Sequence, residues 1–203
     1  MARRAFLPVS RASVQHVASG DTATDYEPGD FILTHGNAWT SKMIRFGQSL
    51  RIHGADRKYT WWNHAALIVS DGGDLVEALG AGVLRTNLSK YQPVEYQVVR
   101  TGASPSDRSE VVAFGEWAAG DKTGADRQRY GYITIVSIAW TLLTGAKFTF
   151  GIEGQMICSG LVARSQERTH AIFNRTPSHV MPADLAKYYQ VDPPESSAPQ
   201  KTM

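Results

Sequence analysis

The strongest constraint on the fold is an apolar run that turns back on itself through a short polar loop. Residues 63–69 read Asn-His-Ala-Ala-Leu-Ile-Val, residues 70–73 read Ser-Asp-Gly-Gly, and residues 75–79 read Leu-Val-Glu-Ala-Leu. Apolar runs bounded by Gly and Asp are typical of two antiparallel strands joined by a hairpin. A loop of four residues places His64 opposite Leu79, and it thereby fixes which side chains share a face.

That register brings His64 and Glu77 to the same face of the hairpin as diagonal neighbours. Diagonal partners lie roughly 7–8 Å apart at Cα, a gap that a glutamate side chain bridges toward an imidazole nitrogen. A loop with an odd number of residues would send Glu77 to the opposite face. We therefore predict a contact between the two residues. The alternatives are a hydrogen-bonded core histidine and an exposed strand carboxylate.

The chain holds one cysteine, Cys158, in the run Gln-Met-Ile-Cys-Ser-Gly-Leu-Val. This run reads as the start of a helix, where the helix dipole and unpaired backbone N–H groups favour the thiolate. The alternative is a buried cysteine that packs as a small hydrophobic residue. A single cysteine excludes an internal disulfide, so cysteine usage does not point to an oxidising compartment. With His64 and Glu77, Cys158 completes the side chains of a thiol hydrolase.

Several short motifs occur in an order that resembles a known family. They are Glu-Pro-Gly-Asp-Phe-Ile-Leu at 27–33, the 63–69 run, Val-Glu-Ala at 76–78 followed by Gly-Val at 82–83, Cys-Ser-Gly-Leu-Val at 158–162 and Pro-Ala-Asp-Leu at 182–185. The histidine and the glutamate precede the cysteine, which is the reverse of the order in papain. The chain resembles the circularly permuted NlpC-type papain-like cysteine hydrolases, the YaeF/YiiX-like branch, which are related in fold to the lecithin:retinol acyltransferases. The resemblance covers most of residues 27–189.

The resemblance implies an α+β class and a permuted papain-like (NlpC-type) fold, with a small antiparallel sheet flanked by helices. The length of 203 residues and the 42% hydrophobic composition fit one globular domain. We assign residues 1–26 to a partly flexible N-terminal arm, 27–191 to the domain and 192–203 to a disordered tail. Strands are predicted at 31–33, 63–69, 75–79 and 94–100. Helices are predicted at 39–50, from a cap at Ser106 or Asp107, from Cys158 to about Arg168, and from Pro182.

The same resemblance implies a Cys-His-Glu catalytic triad. In this interpretation His64 takes the thiol proton of Cys158, and Glu77 holds the imidazole tautomer. The backbone N–H of Cys158 is the expected oxyanion donor, because it points where negative charge develops. Gln155 is a weaker candidate for a second donor, since papain-like enzymes carry such a glutamine farther upstream of the cysteine.

Three aromatic residues are candidates for lining the cleft. Tyr130 and Tyr132 resemble the tyrosine-containing stretch that lines the cleft in this family, although core packing explains them equally well. If the strand begins before His64, Trp62 shares a face with that histidine and borders the cleft, whereas Trp61 points away. The alternative is that both tryptophans belong to the core.

Two catalytic functions and one noncatalytic function are compatible with these residues. The first is an amidase or endopeptidase acting on cell-wall (peptidoglycan) peptides through an acyl-enzyme. The second is a lipid-directed acyl hydrolase or acyltransferase, which the apolar run 130–144 and Trp61-Trp62 favour. That run is shorter than the roughly 20 residues that span a bilayer, so a buried core helix is expected and peripheral membrane contact is the alternative. The third is a binding or structural module that keeps the fold without catalysis.

The sequence also predicts which partners to expect. The histidines lack metal-ligand spacing and no phosphate-binding loop occurs, so we predict no metal and no organic cofactor. A net charge of +2 is too small to indicate nucleic-acid binding. The expected partner is a peptide or acyl substrate such as a cell-wall fragment, and the oligomeric state stays open. The N-terminus lacks the long apolar region of a signal peptide. This predicts a cytoplasmic protein, or one exported by a phage particle or a secretion system.

Overall fold

The computed structural model describes residues 12–36, 39–79, 82–120, 158–169, 171–174 and 176–194. Within these ranges the strands are β1 (Ser13–Val17), β2 (Phe31–Thr34), β3 (His64–Ile68), β4 (Asp74–Leu79), β5 (Gly82–Asn87) and β6 (Tyr96–Arg100). The α-helices are α1 (Trp39–Arg51), α2 (Pro105–Ala119), α3 (Cys158–Gln166) and α4 (Pro182–Tyr188). Short 3-10 helices cover Gly54–Trp61, Leu88–Tyr91, Glu167–Thr169 and Pro177–His179. The predicted α+β class is confirmed.

The strands form one antiparallel sheet in the order β1-β6-β2-β3-β4-β5. In the hairpin, Leu67 pairs with Val76 and Ile68 pairs with Leu75. The N–H of Val69 donates to the carbonyl of Asp74 at 2.8 Å, which closes the loop of four residues. This register is the predicted one, and it places His64 and Glu77 on the same face of the sheet.

The two faces of the sheet are covered differently. One face packs against the helices, through buried residues that include Leu33, Leu67, Val76, Val83 and Val99 on the strands and Val111, Leu161 and Leu185 on α2, α3 and α4. The other face is covered by chain outside the α-helices, with a core of Val17, Ala23, Ile32, Ala66, Ile68, Leu75, Leu88, Tyr91, Tyr96 and Val98. In the described residues, the α-helices therefore contribute to one core and the second core is closed by strands and connecting segments.

Both edge strands are absent from the sequence-based prediction. β1 lies inside residues 1–26, which the sequence assigns to an arm, yet it pairs with β6 and belongs to the sheet. Only Val17 of β1 is buried, so the strand lacks the apolar alternation that would identify it. β5 begins at Gly82 and ends in the polar run Arg-Thr-Asn. Edge strands carry such weak patterns because one side of each faces solvent.

The predicted helix boundaries agree well with the structure, with one correction. α2 begins at Pro105, and Ser104 is its N-cap, since the Ser104 hydroxyl accepts a hydrogen bond from the N–H of Asp107 at 3.2 Å. The predicted cap at Ser106 or Asp107 is therefore wrong. Proline suits the first helical turn because it lacks the N–H that the turn leaves unpaired. The same logic places the start of α4 at Pro182, as predicted.

Some predictions concern residues outside the described ranges. These are Gln155, Tyr130, Tyr132, the apolar run 130–144 and most of the predicted tail, at 195–203. Their predicted roles stay predictions. None of the described helices is long and apolar enough to cross a bilayer.

Candidate active site

The site forms where β3 and β4 separate. The N–H of Ile68 donates to Asp30 on the β2 side, whereas the N–H of Val69 donates to Asp74 on the β4 side. Backbone N–H groups alternate in direction along a strand, so the N–H of Ala65 faces the β4 side. The β3 and β4 pairs in the described hairpin lie near the loop, at Leu67 and Ile68, and Ala65 lies beyond them. Its N–H is therefore free to meet another partner.

That partner is the sulfur of Cys158, the first residue of α3. The thiol is 4% exposed and accepts hydrogen bonds from the backbone N–H groups of Ala65 and Ser159. Burial alone would raise the pKa of the Cys158 thiol. The positive charge of His64, its hydrogen bond to the sulfur and the two backbone donors outweigh burial and hold this pKa below its usual value. These contacts shift the titration of the sulfur toward the thiolate.

His64, the first residue of β3, links the thiol to the carboxylate. Its Nε2 lies 2.7 Å from Oε2 of Glu77, so the predicted contact between these residues is confirmed. Because Nε2 is committed to Glu77, Nδ1 is the nitrogen left for the hydrogen bond with Cys158. Burial would lower the pKa of His64, but the Cys158 thiolate and the Glu77 carboxylate raise it to about 9. The shifts at His64 and at Cys158 have the directions that a thiolate–imidazolium pair requires.

Glu77 is fully buried on β4 and accepts four hydrogen bonds from side chains. Its Oε1 accepts from the Thr86 hydroxyl at 2.5 Å and from the Lys90 ammonium at 2.6 Å. Its Oε2 accepts from His64 and from the Tyr91 hydroxyl at 2.5 Å. Burial alone would raise the pKa of Glu77, but these hydrogen bonds and the charge of His64 hold it well below its usual range. A buried carboxylate is tolerated only when it is paired in this way.

Sequence reasoning missed Thr86, Lys90 and Tyr91. Thr86 lies on β5, and the other two lie in the 3-10 helix that follows, whose start is capped by the Asn87 side chain accepting from the N–H of Ser89 at 3.0 Å. One signal pointed to Lys90 alone: a glutamate buried in a strand requires a cation nearby, and Lys90 follows soon after the hairpin. Burial and the Glu77 charge raise the pKa of Tyr91, so its hydroxyl stays protonated as a donor.

Trp62 does not border a cleft, contrary to the expectation from strand alternation. β3 begins at His64, whereas Trp61 ends the preceding 3-10 helix and Trp62 follows it, so the two tryptophans do not alternate along the strand. The Trp62 side chain is fully buried, and its Nε1 donates to the carbonyl of Val191 at 2.9 Å. Trp62 is therefore a core residue. Trp61 is half-buried and stacks on His35.

Replacing Trp62 with alanine should lower the free energy of unfolding by about 3–5 kcal/mol, because it leaves a large cavity and removes a buried hydrogen bond. Replacing the half-buried Trp61 with alanine should lower the free energy of unfolding much less. Urea unfolding of both variants measures the difference. The folded fraction of Trp62→Ala should turn over normally, and a variant with wild-type stability but impaired turnover would return Trp62 to the cleft.

The site combines three groups: a thiol whose pKa is lowered, an imidazole that bridges this thiol to a carboxylate, and the carboxylate itself, which accepts further hydrogen bonds. Such a set is chemically suited to nucleophilic substitution at a carbonyl carbon. In the described parts of the chain, no three His, Cys, Asp or Glu side chains lie together as a metal site. A scan against protein-family models and a search of curated proteins found no match to this chain.

Proposed function

We propose that this protein is a cysteine hydrolase that cleaves an amide bond through an acyl-enzyme on Cys158. The observation that carries the proposal is the continuous hydrogen-bonded chain from the thiol through His64 to the buried Glu77. A cysteine that merely fills the core does not need an imidazole at its sulfur, and a merely structural histidine does not need a raised pKa. Perturbed pKa values of this kind are typical of catalytic groups.

The proposed acylation step begins with proton transfer from the thiol. The Cys158 proton passes to Nδ1 of His64, and the sulfur then attacks the carbonyl carbon of the substrate. The negative charge that develops on the carbonyl oxygen is placed near the start of α3, where the N–H of Cys158 is the proposed donor. The C–N bond breaks as the imidazolium of His64 returns its proton to the leaving amine. This leaves a thioester on the enzyme.

Water resolves the thioester in the second step. His64 takes a proton from the water as it attacks the thioester carbonyl, and the C–S bond breaks to release the carboxylic acid and the thiolate. Throughout, Glu77 stabilises the imidazolium and holds the ring by its Nε2. Lys90, Thr86 and Tyr91 hold Glu77 in place and act as positioning residues.

Cell-wall peptides are the substrates we propose first, on the basis of the motif order that resembles the permuted NlpC-type papain-like hydrolases. The permuted papain-like fold is part of this proposal. Its support is the position of the cysteine at the start of a helix that follows, in the chain, the strands carrying the histidine and the glutamate.

A lipid-directed acyl hydrolase or acyltransferase is the second candidate, and one feature of α1 favours it. Phe46 and Leu50 lie one helical turn apart on α1 and are 49% and 41% exposed. The helix carries Lys42, Arg45 and Arg51 and no acidic residue. Exposed apolar side chains among basic ones are typical of contact with an anionic lipid surface.

One experiment separates these functions. The protein is incubated with muropeptides and, separately, with acyl lipids, and intact mass spectrometry is used to look for an acyl group on Cys158. An adduct from muropeptides supports the amidase, and an adduct from lipids supports the second candidate. No adduct and no product from either class would favour a noncatalytic module.

The pH dependence of the reaction should reflect the thiolate–imidazolium pair. We expect a bell-shaped profile of kcat/KM, rising below the usual pKa of a thiol and falling near pH 9 as His64 loses its proton. In Lys90→Met a positive charge near Glu77 and His64 is lost. The imidazolium is then favoured further, so the falling limb should move to higher pH.

Lys187→Met is the matched control, because Lys187 pairs with the exposed Asp56 instead of Glu77. Its profile should overlay that of the wild type. The rate of alkylation by iodoacetamide against pH gives a second readout of the Cys158 thiolate that needs no substrate. A Lys90→Met profile that overlays the wild type, or moves to lower pH, would contradict the electrostatic role of Lys90.

A further inference from the structure

An aromatic and cationic cluster lies beside the start of β3, formed by Arg45, Trp61 and His35, and we call it the Arg45 cluster. The imidazole of His35 stacks on the Trp61 ring, with centroids 3.9 Å apart and planes 11° from parallel. The guanidinium carbon of Arg45 lies 5.6 Å from the centroid of the same ring, as in a cation–π contact. All three side chains are half-buried, so the cluster is ordered by packing and still open to solvent.

Within the described ranges, the contacts of the Arg45 guanidinium are with His35 and Trp61 and include no carboxylate. Nδ1 of His35 lies 2.8 Å from the carbonyl of Trp61 and donates to it, so Nε2 accepts from Nη1 of Arg45 at 3.5 Å. A guanidinium has five N–H donors. Yet Arg45 forms no ion pair with any residue in the described ranges. A guanidinium that is stacked, oriented and not paired with a carboxylate of the described residues is suited to bind a substrate carboxylate through two parallel hydrogen bonds.

The cluster adjoins the candidate active site through the end of β2. Thr34, which precedes His35, pairs with His64 across the two strands. The next residue, Gly36, exchanges two hydrogen bonds of 2.9 Å with the Asn63 side chain, one through its N–H and one through its carbonyl. Neighbouring strands lie about 5 Å apart, so the chain that carries His35 runs directly beside His64, which contacts the thiol.

We propose that the Arg45 cluster binds a carboxylate of the substrate, one or two residues from the bond that is cleaved, and that it selects acidic peptide substrates. This inference rests on the proposed hydrolase function, because it names the substrate class of the same site. The Trp61 ring and His35 hold the guanidinium in place, so little conformational freedom is lost when the carboxylate binds. A neutral side chain at the same substrate position gains no ion pair with Arg45.

The test uses pairs of peptides that differ only in Glu or Gln at positions flanking the scissile bond. Wild-type protein should cleave the Glu peptide with a kcat/KM at least about tenfold higher, mainly through a lower KM. Arg45→Gln should lose this preference, because its kcat/KM for the Glu peptide should fall to about its value for the Gln peptide. Arg57→Gln is the matched control, since Arg57 is an exposed arginine in the 3-10 helix that ends at Trp61. This control should keep the preference.

A binding measurement separates failure of this inference from failure of the hydrolase proposal. Full-length Cys158→Ala protein is titrated with both intact peptides by calorimetry, with and without the additional Arg45→Gln change. Tighter binding of the Glu peptide that disappears with Arg45 supports the carboxylate site, even if wild-type protein cleaves neither peptide. Equal affinity of Cys158→Ala for both peptides would overturn the carboxylate site. So would an equal loss of affinity for both peptides when Arg45→Gln is added.

Discussion

Cys158→Ala is expected to lower turnover by at least about a thousandfold, because it removes the sulfur that we propose forms the covalent bond to the acyl group. The thiol is 4% exposed and small, so its loss removes little packing. The melting temperature should therefore stay within a few degrees of the wild-type value. Steady-state kinetics and thermal unfolding of the same preparation measure both effects.

The double variant Cys158→Ala/His64→Ala sharpens this test. Residues that act as one catalytic unit are strongly non-additive, so the second change should lower turnover little beyond the first. His64→Ala alone should be almost as inactive as Cys158→Ala, because the thiolate loses the charge that favours it. Turnover by Cys158→Ala at the wild-type rate would end the cysteine hydrolase proposal.

Glu77→Ala is expected to lose both stability and activity. The change leaves Thr86, Tyr91 and His64 without the acceptor they share, and breaking a buried pair of this kind costs about 3–5 kcal/mol. Turnover by the folded fraction should fall by about a hundredfold or more, since His64 loses its orientation and its counter-charge. Urea unfolding and kinetics below the unfolding midpoint separate the two effects.

Glu77→Gln is the matched variant, because it keeps the volume of the side chain. Its amide nitrogen must face the donors of one of the two original oxygens, so some hydrogen bonds are lost whichever way it points. Without the negative charge the pKa of His64 should fall, and the falling limb of the pH profile should move to lower pH, opposite to Lys90→Met. Unchanged stability and an unchanged profile would show that Glu77 does not act on His64 as a charge.

The hairpin was predictable because its information is local. The four-residue loop sets which residues of the two strands face each other, and side chains alternate between the faces along each strand. Both His64 and Glu77 lie in the sixteen residues that end at Leu79, which is about the length of one hairpin. Cys158 was singled out by its residue type and by the helix that begins there. Its contact with His64 was predicted through the family resemblance, since no local pattern specifies a partner so far along the chain.

The remainder of the site depends on parts of the sheet that leave weak sequence patterns. Thr86 reaches Glu77 only because β5 pairs beside β4, and β5 is an edge strand with polar residues at its end. The positions of Lys90 and Tyr91 beside Glu77 depend in turn on where β5 ends, because both residues lie in the 3-10 helix that follows it. Trp62 was misplaced because β3 begins two residues later than the alternation argument requires, and a helical turn precedes it. Such boundaries are set by tertiary packing more than by residue type.

The near-complete burial of the Cys158 sulfur has a consequence for the oxidative chemistry of the chain. A thiol with a lowered pKa is readily oxidised by small peroxides, which reach sites that bulky disulfides do not. Since the chain has one cysteine, a sulfenic acid at Cys158 has no second thiol in the same molecule with which to form a protective disulfide. Further oxidation of the sulfenic acid to the sulfinic acid then competes only with its reduction by external reductants that are small enough to reach the buried sulfur. Under oxidising conditions, the reactivity of Cys158 is therefore maintained only while external thiols reduce its sulfenic acid.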